Sequence, residues 1–259
     1  MNIKVKKFLN KKNKSKIICL TAYSKNVALI LDKHCDLVLV GDSLGSVLYN
    51  YKSTKEVTLD TMIRHSKSVR LGVNKSLMVV DMPYNTYRNP NEALKNAKLI
   101  MKQTKCDAIK LEGGKKIISI VKNLVKNKIP VMGHLGILPQ TEKKFTFKGK
   151  KLIERNRILK EAKLLEKAGI FSVVLECIET KLSKKITEQL KIPTIGIGSS
   201  VNCDGQVLVT DDLIGLSEGK FRFVKKFANT SQIIDNAVKR YKSEVLKKKF
   251  PKAKHSFKN

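Results

Sequence analysis

Seven polar residues stand where apolar runs stop. Asp42 and Ser43 follow Leu37-Val38-Leu39-Val40-Gly41, and Asp81 follows Leu77-Met78-Val79-Val80. Lys110 and Glu112 flank the end of Ala108-Ile109-Lys110-Leu111, His134 follows Val131-Met132-Gly133, and Glu176 follows Val173-Val174-Leu175. Asp42, Asp81 and Glu112 are three carboxylates on consecutive runs, and oxygen ligands with spare positions suit Mg2+, which keeps several waters and prefers one or two carboxylates plus substrate oxygens. Lys110 lies two residues before Glu112, so both leave one face of a strand, and a lysine beside metal-binding carboxylates pairs with an anionic substrate. Glu176, in an apolar run across from the acidic trio, is placed to serve as a base, and His134 to hydrogen-bond a substrate oxygen. Plainer roles exist for each: an aspartate capping the next helix, a lysine in a salt bridge, a histidine satisfied in the core. Together the set points to metal-assisted removal of a proton next to a carbonyl, the enolisation of a 2-oxo acid. Asp81 is expected at a solvent-facing rim, where its removal spares the fold.

Such a rim requires parallel strands that end together. The runs at 17–22, 37–40, 77–80, 108–111, 130–135, 172–177, 194–198 and 206–210 read as eight strands, nearly all separated by helical periodicity. Asn89-Pro90 opens one helix with proline at its favoured first position, Gly169 closes another, and a last helix spans 231–246. Eight such units in 259 residues predict a single-domain (β/α)8 TIM-type barrel over 1–259, with a doubly wound sheet as the alternative. The basic tail 247–259 is expected to be poorly ordered. Residues 43–57 read as a long loop, and 136–151, polar and lysine-rich with Phe145 and Phe147 interleaved, as a mobile lid. One link conflicts with a parallel barrel: 199–205 is shorter than the dozen or so residues of an ordinary crossover, so strand eight should start later or 206–215 should include helix.

Composition narrows the class. The net charge of +31 invites a nucleic-acid reading, but of 53 basic residues seven are arginine, and the lysines are spread over every predicted helix. That pattern does not match bidentate phosphate and base readout, so no specific nucleic-acid partner is expected. Five cysteines without metal-ligand spacing read as free thiols in a reducing cytosol. No run approaches a membrane span and 1–16 lacks the apolar core of a signal peptide, which predicts a cytoplasmic protein without membrane association.

Val-Gly-Asp-Ser-Leu-Gly at 40–45, Asp-Met-Pro-Tyr at 81–84, Ile-Lys-Leu-Glu-Gly-Gly at 109–114, Gly-His-Leu-Gly-Ile-Leu-Pro-Gln at 133–140, Val-Leu-Glu-Cys at 174–177, Ile-Gly-Ile-Gly at 195–198 and His-Ser-Phe at 255–257 resemble the ketopantoate hydroxymethyltransferases, in order over residues 3–257. The resemblance implies transfer of a hydroxymethyl group from 5,10-methylenetetrahydrofolate to 3-methyl-2-oxobutanoate through a Mg2+-stabilised enolate. The product would be 2-dehydropantoate, for pantothenate synthesis. It also implies a cytoplasmic homo-oligomer, commonly a decamer. By the same resemblance Asp42, Asp81 and Glu112 surround Mg2+, Asp42, Ser43, Asp81 and Lys110 contact the 2-oxo acid, and Glu176 accepts the proton at C3. The chain departs from the family's pattern at Lys143-Lys144-Phe145-Thr146-Phe147, at Ser200, at Asp211 and at Phe221. A barrel of the phosphoenolpyruvate mutase and isocitrate lyase kind, which would carry a reactive loop cysteine, and a basic RNA-associated barrel are the competing readings.

Overall fold

The computed structural model describes residues 2–142, 146–219 and 221–257. Eight parallel strands close into a barrel in the order β1 (Ile17–Thr21), β2 (Leu37–Val40), β3 (Leu77–Asp81), β4 (Ala108–Lys110), β5 (Val131–Gly136), β6 (Ser172–Glu176), β7 (Thr194–Ile197) and β8 (Gly205–Leu208), with β8 paired to β1. The predicted (β/α)8 fold is the one observed. By compactness the chain falls into two units, Met1–Val209, which holds the whole barrel, and Thr210–Asn259, which holds helices Thr210–Leu213 and Thr230–Leu246. Residues 247–257 include a short turn of helix at Ala253–His255.

Alternation along each strand builds two cores. One set of side chains, including Leu37 and Leu39, Leu77 and Val79, Ala108, Met132, Val174, Ile195 and Val207, packs inside the barrel. The other, including Val38, Val40, Met78, Val80, Ile109, Val131, Val173 and Leu175, packs outward under the helices. Strands buried on both faces need apolar residues at every position, which is why these runs are continuous rather than alternating. The floor is sealed by a helix the lysine-rich start conceals, Ile3–Leu9: Val5 and Phe8 enter the inner core, and Phe8 meets Phe171 edge to face at 5.7 Å between centroids.

One expectation is corrected and one is met by its second alternative. Within 43–57 the chain forms a helix at Leu44–Tyr49 and a 3-10 turn at Thr54–Glu56. The helix is too short for its period to register, and Gly45 packs so closely that a Cβ there would lie 2.6 Å from Val57 Cγ2. The link from β7 to β8 contains no helix. Strand eight begins at Gly205 and not later, but residues 206–215 do include helix, Thr210–Leu213, beyond the strand. A return past strands of four residues covers only ~13 Å at ~3.3 Å per residue, which residues 198–204 can span. Asp204 pins the link, its Oδ2 accepting from Thr194 N at 2.8 Å, Thr194 Oγ1 at 3.1 Å and Lys12 Nζ at 2.8 Å.

Candidate active site

The site grows from the last inward position of each strand. Asp81 is two residues past Val79, Lys110 two past Ala108, His134 two past Met132 and Glu176 two past Val174, so the alternation that fills the interior with apolar side chains ends in charged ones at the barrel mouth. In β2 that inward slot is Gly41, where a Cβ would sit 2.9 Å from Ser43 Oγ and 3.6 Å from Asp81 Oδ2. The glycine leaves space for Asp42 to turn in from the following residue, its backbone N–H donating to Asp81 Oδ2 at 3.1 Å.

Strand register explains the pairs. Asp81 is abreast of Lys110, and their side chains meet at 2.9 Å from Oδ1 to Nζ. Gly136 is abreast of Glu176; its φ is +106° and a Cβ would lie 2.0 Å from Glu176 O, so only glycine lets β5 run this close to the candidate base. His134 lies between two carboxylates, Nδ1 at 3.3 Å from Glu112 Oε1 and Nε2 at 3.2 Å from Glu176 Oε2. Ser43 stands at the edge, its Oγ 2.8 Å from Tyr23 OH.

The sequence-predicted residues thus come together, but the site is more enclosed than a solvent-facing rim. Asp42, Asp81, Lys110, Glu112, His134 and Glu176 are all buried, Asp81 being 2% exposed. Burial, with Asp81 and Glu112 nearby, pushes the Asp42 carboxyl well above its usual range. Burial also raises Asp81, offset in part by Lys110. Glu112 goes the other way: burial opposes ionisation, but His134, Lys110 and the Gln140 N–H together hold it low. Burial opposes the charge on Lys110, but Asp81, Glu112 and Asp42 outweigh it and raise the ammonium above its usual range.

His134 is raised to about 9, burial being outweighed by Glu112 and Glu176 against the opposing effect of Lys110. A histidine raised on folding contributes stability fully below its unfolded value of about 6.5, and loses it as pH climbs through the folded value. In metal-free protein the advantage of wild type over His134→Gln in melting temperature should therefore shrink between pH 6.5 and 9. Thermal denaturation across that range checks it; a constant gap would mean the ring is neutral throughout.

Four buried carboxyl groups, Asp42, Asp81, Glu112 and Glu176, face one lysine and one histidine, and a divalent cation would stabilise the ionised form of those that burial and crowding hold above their usual range. Among the described residues no three acidic, histidine or cysteine side chains form a ready cage for an ion.

Gln140, buried at 1% exposure, was not read as part of the site. Its Nε2 donates to Asp42 Oδ2 at 2.7 Å and its backbone N–H to Glu112 Oε2 at 3.1 Å. Tyr87, likewise unassigned, donates its hydroxyl to Gln140 Oε1. Of the expected lid at 136–151, residues 143–145 lie outside the described set. Ile137 N bonds Glu176 O at 3.0 Å and Lys148 N bonds Cys177 O at 2.8 Å, so both ends of the segment are tied to β6. Beside the cluster opens a cavity of about 350 Å3 that touches Glu112 and Gly136 and is lined further by Tyr84, Arg88, Gly114 and Glu161.

The family model for ketopantoate hydroxymethyltransferase matches residues 2–253. The chain belongs to this family. It is 66% identical over 257 residues to the 3-methyl-2-oxobutanoate hydroxymethyltransferase of Pelagibacter ubique (strain HTCC1062), covering 99% of this chain and 100% of that one. With the enzyme of the same name from Anaplasma marginale (strain Florida) it shares 47% identity over 250 residues, 95% and 90% of the two chains. Among solved structures phosphonopyruvate hydrolase is similar at a TM-score of 0.64 and 8% identity, over 99% of this chain and 92% of that one; at that identity the likeness shows the barrel alone. Membership makes this chain a hydroxymethyltransferase, and with it the competing lyase-mutase and RNA-binding readings give way.

Proposed function

We propose that the chain transfers a hydroxymethyl group from 5,10-methylenetetrahydrofolate to 3-methyl-2-oxobutanoate, yielding 2-dehydropantoate for pantothenate synthesis. The observation that carries this reading is the division of the mouth into two halves: Asp42, Asp81 and Lys110 on one side, and the Glu112–His134–Glu176 chain of contacts on the other. The first half is suited to a metal ion and an anionic oxo acid, the second to moving a proton.

Mg2+ would be held by Asp42, Asp81 and Glu112, directly or through water, and would supply polarisation of the 2-oxo carbonyl. Lys110, held charged, faces the substrate carboxylate and exchanges part of its contact with Asp81 for it. Ser43 sits where its hydroxyl can bond the same carboxylate, and Tyr23 fixes its rotamer. Glu176 takes the proton from C3, and His134, 3.2 Å away and held charged, stabilises the Glu176 carboxylate. The methylene carbon ends bonded to C3 and to a water oxygen as its bonds to folate N5 and N10 break, and the proton taken from C3 and one from the water go to those two nitrogens, so that tetrahydrofolate leaves. The cavity beside Glu112 and Gly136 gives the pterin an approach on the β4–β5 side.

Assembly as a homo-oligomer is supported by helix Thr230–Leu246, which buries none of its residues and exposes Ile233, Val238 and Tyr241. The decamer rests on the family resemblance. No helix of the described residues is long and apolar enough to cross a membrane, and the five cysteines are buried free thiols, which supports a reducing cytoplasm. The deciding experiment is turnover with 3-methyl-2-oxobutanoate and 5,10-methylenetetrahydrofolate, with and without Mg2+. We expect 2-dehydropantoate only when all three are present. Equal rates after chelation would remove the metal from the reading, and no product with any divalent ion would remove the activity.

A further inference from the structure

We infer that Gln140 is a positioning residue that sets the angle of the Asp42 carboxylate and couples it to Glu112, so that the two are held in place for a metal ion.

Each hydrogen-bonding group of this side chain has a partner. Nε2 donates to Asp42 Oδ2 at 2.7 Å and to Met82 O at 3.0 Å, while Oε1 accepts from the Tyr87 hydroxyl. The backbone N–H donates to Glu112 Oε2 at 3.1 Å. The orientation of the amide is fixed by its surroundings, because Asp42 Oδ2 and Met82 O can only accept whereas Tyr87 can donate. One residue from the β5 loop therefore ties together the ends of β2, β3 and β4, the strands that carry Asp42, Asp81 and Glu112.

The arrangement matters because sheet register does not fix the Asp42 side chain. The residue lies beyond its strand, past a glycine, in the turn that leads into helix Leu44–Tyr49, whereas Asp81 and Lys110 are fixed by sheet register. Of the Asp42 carboxylate oxygens, Oδ2 is occupied by Gln140, which leaves Oδ1 to turn toward the ion. A carboxylate ligand held by a hydrogen bond on its second oxygen keeps its geometry without the entropy loss of being ordered on binding. Removing such outer partners typically costs about 10–100-fold in metal affinity. An amide does this without adding a further negative charge to an already acidic pocket, as glutamate would.

This inference rests on the metal reading above, and the test separates the two. Gln140→Met keeps side-chain volume and the backbone N–H but removes the amide donors, and Tyr87→Phe removes only the hydroxyl that fixes the amide. Mg2+ binding to the substrate-free protein is measured by titration calorimetry, with melting temperature and the Mg2+ dependence of turnover alongside. We expect a Mg2+ Kd raised about 10–100-fold in Gln140→Met and several-fold in Tyr87→Phe. We also expect kcat to be largely recovered by saturating Mg2+, a recovery that damage to the fold would not give. Should Gln140→Met fail to fold, Tyr87→Phe decides, since it leaves the ring in place. Wild-type Mg2+ affinity in the folded variants would overturn the inference while leaving the metal site standing, and absence of Mg2+ binding by the wild type would overturn both.

Discussion

Glu176→Gln should bind Mg2+ and the 2-oxo acid as wild type does, yet exchange the C3 proton of 3-methyl-2-oxobutanoate roughly 10²–10⁴-fold more slowly. The amide retains the shape of the carboxylate at the end of β6 and can still lie against His134, but it has no basic lone pair with which to take a proton. Neighbouring geometry should survive, because Gly136 and Ile137 contact the backbone oxygen of residue 176 and not its side chain. Proton NMR of the substrate in heavy water, with Mg2+ and without folate, isolates this step from the one-carbon transfer. A mutant that exchanges as fast as wild type would show that the base lies elsewhere, and His134, 3.2 Å from Glu176, becomes the residue to test.

The second large effect concerns Asp81, where burial changes what the substitution does. At 2% exposure and 2.9 Å from an equally buried Lys110, Asp81 is half of an interior ion pair. Asp81→Ala should abolish Mg2+ binding, and it should also destabilise the protein by about 3–5 kcal/mol, because removing one partner leaves a desolvated charge. Asp42 and Glu112 also act on Lys110, so the loss should fall toward the lower end. The double variant Asp81→Ala/Lys110→Met removes both charges and should regain most of the stability while remaining unable to bind the ion. Denaturant unfolding of wild type, single and double variants, with calorimetric Mg2+ titration, checks this. If the single variant is as stable as wild type, Lys110 has found another partner, and the pair is not what holds this corner of the mouth.

The barrel and most of its charged mouth are legible in the chain because one physical rule writes both. A strand buried on two faces must be apolar throughout, so Asp81, Lys110, His134 and Glu176 announce themselves as the first polar residues on the inward side. Asp42 is harder to place, since it sits off that alternation and only the glycine before it marks the turn. Gln140 has no such signature: it lies in a loop, obeys no period, and its role depends on acceptors brought from three other strands. The helix Ile3–Leu9 is hidden for a different reason. It buries only Val5 and Phe8, and its lysines read as a solvated arm. The depth of Asp81 is equally invisible from sequence, because a residue at a strand end can face water or lie beneath loops, and here the segment bearing Gln140 helps close the site.

The helix at Ile3–Leu9 also bears on the order in which the molecule can be completed during synthesis. Phe8 lodges against Phe171, Asn2 Nδ2 bonds Asp107 Oδ1 at 2.7 Å, and Lys4 Nζ bonds Ser76 O at 2.9 Å. A segment that leaves the ribosome early thus has to wait for partners as far along as β6 before it can close the barrel's lower end. Contacts so distant in the chain slow folding, because the loop entropy is lost before they form. Until residue 171 has emerged, Phe8 lacks its ring partner, and Val5 and Phe8 stay exposed on the nascent chain.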